Sequence, residues 1–469
     1  MAESRVNQAV VLGVDLHLEL ARGGGRRAAL TRALREAVRS GRLAPGTRLP
    51  PYRSLAVDLG IARNTAADAY AELVAEGWLT ARQGSGTRVA QRPAPPAPVR
   101  RPVPPAREAQ PARHDLRQGR PDISSFPRAA WIAATRRALT AAPNDAFGPG
   151  DPRGRPELRR ALAGYLSRAR GVRCDPERIV VCSGVAGALR LLGQVLRGPV
   201  AVEEYGLDFH RGLLTAAGLR TLPLPVDERG ALTQELAATR ARAVLLTPAH
   251  QFPTGGPLHP RRRAAVVEWA RAAGGLVLED DYDGEFRYDR QPVGAVQGLD
   301  PDRVVYLGSV SKSLSPALRL GWAVLPGGLV DGVLAAKGER EPFAGALEQL
   351  TLADFIDSGG YDRHVRRMRQ RYRRRRGQLA AVLAEQAPHI GVTGVAAGLH
   401  AVLRLPPGTE RSAVRAAAWQ GLALEGLAGY RHPDAASPVV DGLVVGYSAP
   451  PDRAFADALG ALCRALPPP

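Results

Sequence analysis

GSVSKSLSPALRLGW, residues 308–322, places a lysine between small hydroxyl residues, with an arginine seven positions on. It continues RVVYLGSVSK (303–312), a short apolar run that ends in a polar cluster. Three other segments read the same way: RIVVCSG (178–184), ARAVLLTPAH (241–250) and GGLVLEDDYD (274–283). Helical, Ala/Arg-rich stretches lie between them. Apolar strands alternating with helices predict an α/β domain whose mostly parallel sheet is covered on both faces. Functional side chains then belong just past the carboxyl ends of the strands, which is where Lys312 stands.

The residues at those ends share one chemistry. Lys312 can condense with an aldehyde, and Ser309, Ser311 and Arg319 offer hydroxyl and guanidinium groups suited to a phosphate. Asp280 and Tyr282 follow another strand at i, i+2 and point the same way, toward a ring nitrogen and a phenolic oxygen. In CSGVAGAL (182–189) the amides of Gly184, Val185 and Ala186 can cap a phosphate at a helix N-terminus. A lysine, a pyridinium partner, a phenol donor and an anion cup are the needs of a pyridoxal phosphate site. Ser-Lys and Asp-Tyr pairs are common singly. Three such elements in this order, each after a strand, are not. A solvated loop lysine is the plain alternative for Lys312, but the chain uses few lysines against many arginines.

The start of the chain has a different character. RRAALTRALREAVRSGRL (26–43) repeats apolar residues at helical spacing (Leu30, Leu34, Ala37, Val38) and is ended by Pro45 and Gly46. RSLAVDLG (53–60) is a short second helix. RNTAADAYAELVAEGW (63–78) is a third, with Ala67, Tyr70, Leu73 and Val74 on one face. WLTARQGSGTRVA (78–90) reads as two strands about a Gly-rich turn. Three helices and a β-wing make a winged helix-turn-helix, whose third helix enters the major groove by its N-terminal end. Arg63, Asn64 and Thr65 stand there, Arg53 opens helix two, and Arg82 and Arg88 flank a wing tip that carries Ser85 and Thr87. A solvated face explains most surface arginines, but these occupy the positions from which phosphates and bases are reached.

QRPAPPAPVRRPVPPAR (91–107) separates the two parts; repeated proline favours an extended, semi-rigid linker. The expected order is a DNA-binding domain over 1–90, a linker over 91–113 and the α/β domain over 114–469. With 469 residues, 45% hydrophobic, the chain is long enough for such an arrangement. Its net charge of +19 fits a polyanionic partner, although arginine beside abundant Ala, Gly and Pro also fits a GC-rich genome. Arg366, Arg367 and Arg371–Arg376 read as a basic helix face, which solvation and carboxylate pairing usually explain. Three cysteines form no disulfide framework and no metal spacing, which fits a reducing cytoplasm. The opening MAESRVNQAVVLGVDLHLEL lacks the pattern of a signal peptide, and no uncharged apolar run reaches the length of a membrane span.

The N-terminal residues LP (49–50), Arg53, LA (55–56), Gly60, RNT (63–65), Ala69, Leu73, GW (77–78) and GSGT (84–87) resemble the GntR family of bacterial regulators. That family usually has a Ser where Ala62 stands, so a helix cap is missing. Residues 114–469 resemble the fold-type I aminotransferases, through GDPRGRPELRRAL (150–162), TPAHQFPTG (247–255), EDDYDGEFRY (279–288) and YLGSVSKSLSPALRLGW (306–322). The combination resembles the MocR/GabR class of regulators. The resemblance implies a smaller subdomain beside the sheet, pyridoxal phosphate as cofactor, Lys312 as Schiff-base lysine and Asp280 as pyridinium partner. Tyr282 would bond the phenolic oxygen, Ser309 and Arg319 the phosphate, and His250 or Gln251 would sit beside the ring. It further implies a homodimer, a double-stranded DNA operator and a small effector, either the cofactor or an amine.

Five positions depart from the class pattern. Pro149 replaces a tyrosine, Ala186 and Gly187 replace two glutamines, and Leu207 falls where an aromatic stacks on the ring, with Tyr205 two residues away. The arginine that grips a substrate carboxylate aligns near Gly429, with Arg431 close by. A cofactor-sensing regulator, a working aminotransferase with a DNA-binding head, and a cofactor-free dimeric scaffold all stay open on the sequence.

Overall fold

The structure, a computed structural model, describes residues 25–82, 86–91, 112–288, 293–338 and 344–469. Two compact units divide the chain, Met1–Arg107 and Glu108–Pro469. Most of the Pro-rich segment, and Ser85 at the wing tip, lie outside the described residues.

In the first unit α1 (Arg26–Arg39), α2 (Tyr52–Asp58) and α3 (Arg63–Ala75) precede β1 (Leu79–Arg82) and β2 (Gly86–Val89), which pair antiparallel. Leu30, Leu34 and Ala37 of α1 meet Leu55, Ala56, Tyr70 and Leu73 in one core. The expected inward face of α3 needs a correction. Ala66 and Ala69 are buried, whereas Ala67 and Val74 are half-buried. With alanines at 66, 67 and 69, apolar spacing alone does not decide which of them faces in. Arg35 forks onto Glu76 through Nε (3.1 Å) and Nη2 (2.8 Å), tying α1 to the end of α3. Tyr70 Oη donates to the Pro50 carbonyl at 2.9 Å, so the turn before α2 is fixed to α3.

The second unit is built on a seven-stranded sheet. Its strands in chain order are β3 (Ile179–Cys182), β4 (Val200–Glu203), β5 (Thr221–Leu224), β6 (Ala243–Leu246), β7 (Leu276–Asp280), β8 (Val304–Ser309) and β9 (Gly321–Val324). The spatial order is β3-β9-β8-β7-β6-β4-β5, and β9 alone runs antiparallel to its neighbours. Both faces are covered. Ile179 and Val181 of β3 pack into one cluster, while Val180 and Cys182 pack into another. The four strands expected from the sequence are all present. A smaller antiparallel sheet follows: β10 (Gly391–Thr393), β11 (His400–Arg404), β12 (Glu425–Gly426) and β13 (Gly442–Gly446). This is the subdomain that the resemblance implied. Among the described residues no helix is long and apolar enough to cross a membrane.

A 27-residue helix, α6 (Gly360–Gln386), joins the large sheet to the subdomain. Part of its expected basic face is internal. Arg375 is 1% exposed and reaches Asp452 and Asp122, and Arg371 pairs with the same two acids. These two arginines hold the helix in place; Arg366, Arg373 and Arg374 remain exposed.

Candidate functional site

The carboxyl ends of β3, β4, β6, β7 and β8 surround a cavity of about 270 Å³. Gly184, Val185, Ala186, Asp280, Tyr282, Ser309, Ser311, Lys312 and Arg319 all line it, from three segments far apart in sequence. Lys312 Nζ donates to the Gly119 carbonyl at 2.6 Å. Gly119 has φ +76°, and a Cβ there would lie 2.8 Å from that nitrogen. Ser313, the next residue, is clamped to α6: Tyr361 Oη donates to Ser313 Oγ (2.8 Å), and His364 Nε2 lies 2.7 Å from Ser313 O. Burial pulls the Lys312 ammonium below its ordinary range against the opposing charges of Asp280 and Asp283, which favours the neutral, nucleophilic amine.

Asp280 closes the opposite side. It is 3% exposed, and its Oδ1 is buried without a hydrogen-bond partner. An unpaired buried carboxylate oxygen is costly unless a donor arrives, and a protonated ring nitrogen is such a donor. The strand end that presents it is pinned behind. Asp281 accepts Arg170 Nε (2.6 Å), Arg170 Nη2 (3.0 Å) and Tyr306 Oη (2.7 Å). Tyr282 Oη lies 2.9 Å from His250 Nδ1, which is 2.8 Å from Asp283 Oδ2.

The anion cup forms where α4 (Val185–Val195) opens after β3. Gly184 caps that helix with φ +80°, and no side chain caps it, so the first amides are free for an anion. A Cβ on Gly321 would stand 2.6 Å from Gly184 Cα, which is why glycine opens β9 here. Arg319 has φ +53°, the one positive value outside glycine among the described residues, and its Nη2 donates to Ser183 O at 2.9 Å. Lys312, the unpaired Asp280 Oδ1 and the open first turn of α4 suit the aldehyde, ring nitrogen and phosphate of a phosphorylated pyridine aldehyde.

Some expected residues fall elsewhere. His250 and Gln251 do not line the cavity. Gln251 is fully buried and spends its amide on Tyr205 O, Phe252 O and Thr254. Tyr205 does not substitute for the missing aromatic; it packs with Phe252, Val402 and Tyr430 behind the cavity wall. Leu207 does line the cavity, while Pro149 and Gly429 do not. Sequence reading missed Gln118, Thr247, Phe209 and His210, which also line it. His210 Nδ1 stands 3.6 Å from Asp280 Oδ2, and burial with the Lys312 charge pushes its pKa down to about 4, leaving a neutral imidazole.

Asp280 gives a pH signature. Burial and the neighbouring Asp281 push its carboxyl from 3.8 up to about 7. An unfolded chain loses this proton first, so the group's contribution to stability falls as pH rises from about 4 to 7 and stays low above that. In cofactor-free protein, Asp280→Asn is therefore expected to gain on wild type through that window, by at most roughly 4 kcal/mol. Melting curves at pH 4.5, 6 and 8 check this; a pH-independent difference would mean that Asp280 titrates like a solvated carboxyl.

In the first unit, the Arg53 and Arg63 guanidiniums lie 5.9 Å and 5.8 Å from the centre of the Tyr52 ring. Their hydrogen bonds and charge lower the Tyr52 pKa. Tyr52, absent from the sequence reading, thus gathers the two arginines at the corner of α2 and α3. Asn64 is exposed and Thr65 half-buried beside them. Ala62 caps α3 with no side-chain bond, as its departure from the family pattern implied, which leaves first-turn amides open to a phosphate. On the wing Thr87 is half-buried, Arg82 is exposed, and Arg88 Nη1 donates to Gly46 O at 2.9 Å.

A winged helix and an aminotransferase fold with its lysine site intact define a DNA-binding regulator with an aminotransferase-like domain. Residues 27–89 match the family of bacterial regulatory proteins, gntR family, and residues 115–428 match aminotransferase class I and II. Among similar proteins is the "Probable rhizopine catabolism regulatory protein MocR" of Rhizobium meliloti, 33% identical over 92% of each chain. Another is the pyridoxine biosynthesis transcriptional regulator PdxR of Corynebacterium glutamicum, 34% identical over 80% of this chain and 82% of that one. Among solved structures, the α-aminoadipate aminotransferase LysN of Thermus thermophilus, complexed with N-(5'-phosphopyridoxyl)-L-leucine, superposes with TM-score 0.67. It is 25% identical and covers 75% of this chain and 91% of its own. The chain belongs to the MocR-type transcriptional regulators of the gntR family. Class I and II aminotransferases depend on pyridoxal phosphate, the cofactor that the site fits.

Proposed function

We propose that the protein is a homodimeric, cytoplasmic transcription regulator in which pyridoxal phosphate held at Lys312, or an amine that displaces Lys312 from it, sets the affinity for operator DNA. One observation carries the reading: Asp280, whose buried Oδ1 has no hydrogen-bond partner, lines the same cavity as Lys312. When bound, the cofactor supplies an aldehyde that condenses with a primary amine and releases water. Lys312 offers that amine, with burial lowering its pKa. Asp280 accepts from the ring nitrogen, and Tyr282 donates to the phenolic oxygen. Ser309, Ser311, Arg319 and the amides of Val185 and Ala186 hold the phosphate, whereas the expected Gly184 amide donates to Cys182 O at 2.9 Å.

Sensing is favoured over steady transamination by the cavity's arginines. Turnover of an amino acid needs a grip on its carboxylate. Arg211 lines the cavity but donates to the Gly206 and Tyr430 carbonyls, and Arg431 turns to the Ala435 and Ser437 carbonyls. Residues 1–90 read the operator, 91–113 link, and 114–469 sense and dimerise. Two heads then need half-sites on one DNA face, separated by about 10 bp or a multiple of it.

Coupling between such sites is typically about 1–3 kcal/mol, or roughly 5–150-fold in affinity. Titrating operator DNA with wild-type protein, with and without pyridoxal phosphate, should show a change of that size in affinity or a changed footprint. A cofactor that binds yet alters neither would remove sensing from the reading. A monomer at micromolar concentration would remove the dimer.

A further inference from the structure

His250 does not line the cofactor cavity, yet it is 3% exposed and touches Tyr282, which does. Its Nδ1 lies 2.8 Å from Asp283 Oδ2 and 2.9 Å from Tyr282 Oη, so one ring nitrogen meets a buried carboxylate and a phenol together. The pair is seated against the subdomain. A Cβ on Gly398, at φ +75°, would overlap both His250 Cε1 and Asp283 Oδ2. Gly398 is itself fixed, its carbonyl accepting the hydroxyls of Tyr288 and Tyr447. The His400 ring lies 5.3 Å from that of His250 and has its Nε2 3.0 Å from Pro253 O. Burial pushes the His400 pKa down to about 3, so this neighbour is neutral.

The number of protons fixes a direction. An ionised carboxylate only accepts, so the proton between His250 and Asp283 belongs to Nδ1. A protonated Nδ1 has no lone pair and gives Tyr282 Oη nothing to donate to. Burial first, then the charges of Asp283 and Asp280, hold the Tyr282 phenol well above its ordinary range, and Glu203 acts in the same sense. The phenol therefore keeps its proton. With no acceptor at Nδ1, that proton turns to the cavity that Tyr282 lines. Without His250 the opposite holds. Asp283 becomes a buried carboxylate short of a donor, and the Tyr282 hydroxyl is close enough to supply one.

We propose that His250 is a positioning residue for the cofactor contact: it supplies Asp283 with a donor, offers Tyr282 no acceptor, and so aims the Tyr282 hydroxyl at the phenolic oxygen of the bound pyridine aldehyde. The inference rests on the cofactor reading and adds to it the residue that decides which way Tyr282 points. The consequence is chemical. Negative charge on the phenolic oxygen holds a proton on the neighbouring Schiff-base nitrogen. A donor on that oxygen shares the charge, so the proton leaves at lower pH. Losing the aim of Tyr282 then acts like losing its hydroxyl. An asparagine at 250 presents an amide N–H in place of Nδ1–H, always as a donor, and stands in for the ring.

Two measurements on the full-length protein test this. In cofactor-free protein with isotope-labelled histidine, NMR should find a proton on His250 Nδ1, identified by its loss in His250→Asn. In protein loaded with pyridoxal phosphate, the pH midpoint of the visible Schiff-base band should rise in His250→Leu and in Tyr282→Phe. The expected rise is about one pH unit, or roughly tenfold in proton affinity. His250→Asn should stay close to wild type, and His250→Leu should add nothing in the Tyr282→Phe background. A bare Nδ1 would overturn the proposal. So would an unmoved midpoint in His250→Leu or a full shift in His250→Asn. An equal added shift in the Tyr282→Phe background would do the same, because it marks a purely structural role. If His250→Leu does not fold, the NMR result and His250→Asn still decide. A wild type that forms no Schiff-base band overturns the cofactor reading instead, and this proposal with it.

Discussion

Lys312→Ala is expected to abolish the visible absorbance band of the cofactor–lysine Schiff base and to remove the cofactor's effect on operator binding. The chain contains two lysines, Lys312 and Lys337, so the assignment is sharp. Lys337 is tied to the Pro152 and Val181 carbonyls and lines no part of the cofactor cavity. Borohydride reduction of loaded wild type should leave the cofactor mass on the Lys312 peptide alone. In Lys312→Ala the phosphate cup and Asp280 remain, so non-covalent binding survives but weakens. The covalent link that ties the cofactor to β8 is gone, and an affinity loss of about 100-fold or more corresponds to roughly 3 kcal/mol. Operator affinity should then be the same with and without cofactor. A variant that still responds as fully as wild type would show that phosphate and ring contacts alone drive the response. Cofactor mass found on Lys337 would overturn the site.

The Lys312 stretch was legible because its chemistry is local. Apolar runs with polar ends mark strands whose carboxyl edges converge in a parallel sheet, so Lys312, Asp280, Tyr282 and Gly184 could be placed together from the order of segments. Residues that reach the cavity from outside this rhythm were not legible. Gly119 sits 193 positions before Lys312 in a segment without periodicity, and only the folded chain brings its carbonyl to the amine. His210 lies in α5 (Asp208–Ala216), three residues past the expected aromatic position; a histidine in the first turn of a helix that follows a strand was the available signal. The assignment of His250 and Gln251 to the ring followed the resemblance. In the fold, Phe252 and Thr247 take the lining while Gln251 knits the turn behind them. Tyr205 misled for a reason of period. Alternate residues of an extended segment face the same way, but the chain bends at Gly206, and Leu207 and Tyr205 end up in different cavities.

Arg63→Ala should erase the protein's preference for its operator over random DNA while leaving much of its non-specific binding. Arg63 heads α3, exposed, at the end that enters the major groove in a winged helix. A good bidentate base contact discriminates by about 1–3 kcal/mol, or roughly 5–150-fold, and a dimer carries two of them. Phosphate contacts from Arg53, the α3 amides and the wing persist, so binding to random DNA should weaken only a few-fold and keep most of its steep salt dependence. Tyr52 makes the experiment finer. Its ring and hydroxyl gather Arg53 and Arg63, so Tyr52→Leu should lower operator affinity by freeing both arginines, yet by less than Arg63→Ala. Competition binding of operator and scrambled duplex at two salt concentrations separates the effects. If Arg63→Ala lowers affinity for both duplexes equally, Arg63 is a phosphate contact and base reading passes to Asn64 and Thr65. If discrimination is untouched in Arg63→Ala and in an Asn64→Ala, Thr65→Ala double variant, α3 is not the helix that reads the groove.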